Sequence, residues 1–103
     1  MSLDITILDA RGRPSESVAF SPDEHWQIFG QLAPSDFPLL SRLADFYEDA
    51  EWLVDELPFL KDELLRLKAS LPAEEQHFSL VDAVIALAQS ALKMGSSLVA
   101  IAD

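Results

Sequence analysis

LDITILDARGRPSESVAF, residues 3–20, decides the fold class of this chain. Leu3, Ile5 and Ile7 alternate with Asp4, Thr6 and Leu8, the period-two pattern of a strand with one buried face. Arg11, Gly12, Arg13 and Pro14 supply turn chemistry, and Val18 with Phe20 resume the alternation, so the segment reads as a hairpin with a loop longer than the tightest type. At the far end of the chain Leu98–Ile101 is short, apolar and partly β-branched, which predicts a third strand. Paired with the first, it gives a sheet of order 2-1-3 built from the two chain ends. The fold class is therefore α+β, a small sheet packed against about four helices in one domain spanning residues 1–103.

Breakers and caps set out the helices. Ser21-Pro22-Asp23-Glu24 combines a hydroxyl N-cap, proline at the first helical position and glutamate at N3, so a helix begins at Pro22 and ends before Pro34, with His25, Trp26, Phe29 and Leu32 on one side. Ser35 or Asp36 can cap a second helix running from about Pro38 to Leu57. Pro58 breaks it, and a third helix from Pro58 to Leu71 shows Leu60, Leu64, Leu67 and Leu71 as one stripe. Ala73–His77 reads as a helical turn. Ser79 with Asp82 then caps a fourth helix that is apolar over most of its circumference and stops at Gly95 after Met94.

The second helix carries the functional interest. With Leu43 as origin and about 100° per residue, Phe46, Tyr47, Ala50, Leu53, Val54 and Leu57 share a core side. Trp52 falls opposite, among Asp45, Glu48, Asp55 and Glu56, where a solvated helix carries polar residues. An aromatic ring in that position wants a partner.

Charge points the same way. The chain holds 18 acids and 7 bases for a net charge of −11. Eight of the acids (Asp45, Glu48, Asp49, Glu51, Asp55, Glu56, Asp62, Glu63) fall between positions 45 and 63, with Lys61 the one base among them. Such a field repels nucleic acid and anionic lipid and attracts basic proteins. Crowded carboxylates should also raise one another's pKa values. The bland reading is a solvated helix face; the sharper one is an acidic docking surface anchored by Trp52.

Catalytic signatures are missing: no glycine-rich phosphate loop, no nucleophile elbow and no histidine pair at ligand spacing. Cysteine is absent, which removes disulfides and thiolate metal sites and suits a reducing compartment. The start of the chain lacks a basic segment followed by an apolar run, so no signal peptide is expected, and no stretch has the length of a membrane span. Asp45, Glu48 and Asp49, helped by His25 or His77, form the best cation-like constellation, suited to magnesium, calcium or manganese. His25 reads better as a helix-packing residue, and Arg42, three residues before Asp45, as a brace for the acidic face.

LDITILD, FPLLSRLADFYEDAE (residues 37–51) and the ending VAIAD (residues 99–103) resemble a group of small uncharacterised bacterial proteins, across nearly the whole chain. That resemblance implies a bacterial source and a single domain, with no enzymatic activity to transfer. In its small, acidic, cysteine-free character the chain is also similar to toxin-neutralising immunity proteins.

The expected function is a non-enzymatic cytoplasmic interaction protein, with toxin immunity its most concrete form. No catalytic, cofactor or metal residues are assigned. Trp52, Asp45, Glu48, Asp49, Asp55 and Glu56 are the expected contacts to a basic protein partner, with no nucleic acid or membrane involved. The alternatives are a small divalent-metal protein or enzyme using Asp45, Glu48 and Asp49, and a homodimer that buries Trp52. A toxin gene immediately upstream would favour immunity, and a metabolic operon the enzyme.

Overall fold

A computed structural model describes residues 3–9, 11–29, 32–43, 49–70 and 76–102. Its sheet has four antiparallel strands: β1 (Leu3–Leu8), β2 (Pro14–Phe20), β3 (Ala50–Trp52) and β4 (Leu98–Ala102), in the order β2-β1-β4-β3. Among the described residues three α-helices, α1 (Pro22–Phe29), α2 (Leu57–Ala69) and α3 (Gln76–Met94), complete the α+β architecture, one fewer than expected.

The hairpin forms as the alternation requires. Leu3, Ile5 and Ile7 are fully buried, and β2 pairs with β1 from Leu3↔Phe20 to Leu8↔Pro14. In the turn, Asp9 Oδ1 accepts the backbone N–H groups of Arg11 and Arg13 at 2.8 and 2.9 Å, and Gly12 takes φ +77°, a conformation a side chain would strain. Thr6 points to the other face and is buried as well; its hydroxyl donates to Glu16 O at 2.8 Å and accepts from Ser17 Oγ at 2.9 Å. The C-terminal strand pairs with β1 over Leu3↔Ala102 to Ile7↔Leu98, as expected.

The capping box of α1 is complete: Glu24 N–H donates to Ser21 Oγ at 3.2 Å, and Ser21 N–H to Glu24 Oε1 at 2.9 Å. His25, Ile28 and Phe29 face inward, and Phe29 meets Phe20 edge-on at 5.3 Å. Trp26 does not join them; it is 57% exposed, because one residue of helical turn separates it from the buried His25. Helix α2 has Pro58 in its first turn and buries Leu57, Leu60, Leu64 and Leu67. Helix α3 is already helical at Gln76, three residues before Ser79, so Ser79 lies inside the helix and caps nothing. Asp82 is used elsewhere, bonding Lys68 of α2 at 2.7 Å. The end of α3 is a Schellman turn, with Gly95 at φ +67°, Gly95 N–H on Leu92 O and Ser96 N–H on Ala91 O.

The central segment departs from expectation. In place of a helix from Pro38 to Leu57 there is a turn-rich segment with a 3-10 turn at Leu40–Leu43, then β3, then a second 3-10 turn at Val54–Glu56. Residues 44–48 lie outside the described residues. Strand pairing outweighs helical periodicity here: Ala50↔Ala100, Glu51↔Val99 and Trp52↔Leu98 add β3 to the open edge of β4. In a strand, neighbours face opposite ways, so Trp52 turns to the core and Glu51 to solvent.

Candidate functional site: a groove beside a clamped loop

Trp52 is 1% exposed, and its indole N–H donates to Leu39 O at 2.9 Å. The expectation of a solvent-facing docking anchor is overturned, and so is that of a tryptophan buried by a dimer partner, since its own chain already covers it. The wheel that placed it outward assumed one unbroken helix from Leu43. Leu53, assigned to the core by the same wheel, is 55% exposed.

The Trp52 bond is one of several that hold the segment 32–43. This irregular backbone has few ladder partners, so side chains satisfy it. Glu63 of α2, only 4% exposed, accepts the N–H of Leu39 at 3.1 Å on both carboxylate oxygens and that of Leu40 at 3.0 Å. Arg66, one turn further on, donates to Asp36 O at 2.9 Å and sits 5.0 Å over the Phe37 ring. From the opposite end, His25 Nε2 donates to Leu43 O while its ring packs beside Phe29. The packing role read for His25 is the one it has.

Arg42 braces an acid, though a distant one. Its guanidinium forks onto Glu56 at 2.6 and 3.0 Å and also donates to Glu51 O at 2.8 Å, covering the outer edge of β3. Glu56 Oε1 takes Leu53 N–H as well, at 3.0 Å. The hydrogen bonds from Arg42, with that from Leu53, hold the Glu56 carboxyl down at about 2, and the same pairing raises the Arg42 pKa. This is opposite in direction to the rise expected from crowded carboxylates.

Among the described residues the acidic run is therefore divided rather than gathered in one patch. Asp49 accepts Ala102 N–H at 2.8 Å and secures the end of β4, Glu51 and Asp55 face solvent, Glu56 is paired, and Glu63 is buried. Asp45 and Glu48 lie outside the described residues, so their expected contacts to a partner or a cation have no description. Among the described residues no group of three or more His, Cys, Asp or Glu is placed to hold a metal ion. No described helix is long and apolar enough to cross a membrane.

A groove of about 510 Å³ runs between the clamped segment and α2. Pro38 and Leu39 line it from the loop, Phe59, Asp62, Glu63 and Arg66 from the helix, and Glu56 from the turn before it. Phe59 is 66% exposed, the most exposed of the large apolar residues described. Sequence reading passed over it, yet the signal was present: at about 100° per residue Phe59 falls with Asp62 and Arg66, away from the Leu60, Leu64, Leu67 stripe. Asp55, in the 3-10 turn before α2, and Asp62, one turn of α2 after Phe59, are both exposed. Comparison with protein-family models, curated proteins and solved structures finds no significant match to this chain.

Proposed function

We propose that this chain is a non-enzymatic protein-binding module that receives a basic protein partner on the face around Phe59, with neutralisation of a bacterial toxin in the cytoplasm as its most concrete form. The observation that carries the reading is the exposed Phe59 ring beside a groove lined by the exposed Asp62, with Leu53 and Asp55 also exposed just before α2. An apolar anchor within a charged rim is the anatomy of a binding hot spot, and the rim steers a partner of opposite sign. The net charge of −11 favours a basic protein and disfavours nucleic acid and anionic membrane. Absence of cysteine suits the cytoplasm. Binding is favoured over catalysis because His25, Arg42, Glu63 and Trp52, the polar groups best placed for chemistry, are spent on holding backbone.

The test is an NMR titration of isotope-labelled protein with an amphipathic peptide rich in lysine and leucine. Shifts should concentrate on Leu53, Asp55, Phe59 and Asp62, and binding should weaken as sodium chloride rises. Phe59→Ala should reduce affinity about tenfold or more while changing stability by no more than about 0.5 kcal/mol. Shifts confined to another face, or full affinity in Phe59→Ala, would sink the proposal. For the toxin form, the product of a neighbouring gene encoding a basic toxin should lose its toxicity on co-expression with this protein but not with Phe59→Ala.

A further inference from the structure

We infer that the groove beside α2 is a receptor for a single arginine side chain of the partner, preferred over lysine; this rests on the docking reading above and specifies the chemistry of its occupant. Its lining carries three carboxylates, Glu56, Asp62 and Glu63, against one guanidinium, Arg66. Arg42 answers Glu56 from outside the groove. Among the described residues the ion pairs Arg42–Glu56 and Lys68–Asp82 do not include Asp62 or Glu63, although the Arg42 charge also acts on Glu63. Glu63 is nine-tenths buried and its oxygens are met by the N–H groups of Leu39 and Leu40, so it is the wall of the groove and not its free acceptor. Asp62, exposed, is the acceptor an incoming cation would meet.

Charge alone does not separate arginine from lysine; the ring does. A guanidinium is planar, weakly hydrated and stacks on an aromatic face while its edge bonds a carboxylate, whereas an ammonium is a strongly hydrated point charge. Phe59 offers an open ring one helical turn from Asp62. The same surface already treats its own guanidinium groups in both ways: Arg66 lies over Phe37 at 5.0 Å, and Arg42 forks onto Glu56.

Two short capped peptides, identical except for a central arginine or lysine between leucines, test this by NMR titration. The arginine peptide should bind at least about fivefold tighter, with its largest shifts at Phe59 and Asp62. Phe59→Leu keeps the apolar volume but removes the ring, and should bring the two peptides to equal affinity; Asp62→Asn should weaken both. Equal affinities for the unaltered protein would overturn the arginine preference and leave the docking face standing. Binding of neither peptide would remove both. Concentration-dependent shifts at Phe59 without peptide would show that a second copy of the chain occupies the groove, which also overturns the inference.

Discussion

Replacing Trp52 separates two energies that the structure assigns to one side chain. The ring lies in the core beside Leu98, its β4 partner, and its indole N–H satisfies Leu39 O at 2.9 Å. Trp52→Ala empties an aromatic core site and should cost about 3–5 kcal/mol, a large share of the 5–15 kcal/mol that holds a typical domain. Trp52→Phe keeps most of the packing and removes the donor, leaving a part-buried carbonyl without its partner at about 1–3 kcal/mol. At this chain length each kcal/mol moves Tm by about 4–8 °C. Urea unfolding should be followed by far-UV circular dichroism, since the substitution itself alters fluorescence and the remaining Trp26 lies on the surface. The denaturation midpoint should fall in the order unaltered protein, Trp52→Phe, Trp52→Ala. A change within about 0.5 kcal/mol for Trp52→Ala, the range of surface substitutions, would refute both the burial and the strand that produces it.

Glu63→Ala strips the acceptor from Leu39 and Leu40 N–H and should destabilise by about 1–3 kcal/mol for each donor left without water, with Glu63→Gln milder because its amide oxygen still accepts; equal stability of all three proteins in urea would contradict the clamp. Glu56 titrates in the folded protein at about 2, below its ordinary 4.5, so folding favours the ionised form. Its contribution is in full force above 4.5 and is lost as pH falls through about 2, so the Tm difference between unaltered protein and Glu56→Gln should shrink across that window; a difference constant with pH would argue against the Arg42 fork. Deleting residues from Leu98 onward removes a strand paired on both sides, and should abolish cooperative thermal unfolding; a truncated protein with unchanged Tm would contradict the β1–β4–β3 order.

Elements whose signals are local were legible in the sequence. Ser21 and Glu24 announce a helix start by residue type and spacing, and both reciprocal bonds form. Gly95 after the apolar run of α3 marks a Schellman end, and the alternation at Leu3–Ile7 marks a strand. The stretch from Pro38 to Leu57 failed because its structure is set by distant partners. Strand β3 is three residues long, too short for period two to show, and its place depends on β4 far along the chain. Once an unbroken helix was assumed, every angle measured from Leu43 carried the error to Trp52. Glu63 illustrates the other kind of miss: its position beside the leucine stripe of α2 hinted at burial, but only the fold brings it to the N–H groups of Leu39 and Leu40. Glu56 lines the groove and Asp55 is exposed in the turn before α2, while the exposed ring of this face is Phe59 and not Trp52.

The register of β1 on β4 also governs how the molecule yields to mechanical load. Leu3 faces Ala102 at one end of the ladder and Ile7 faces Leu98 at the other, so a pull applied at Leu3 and Ala102 bears first on that end of the ladder, where Phe20 and Asp49 also hold the two strands. Hydrogen bonds of an antiparallel pair lie across the strands, and tension applied at one end of the ladder opens them in turn instead of loading them together. Under such a load the β1–β4 ladder opens pair by pair from Leu3–Ala102 towards Ile7–Leu98.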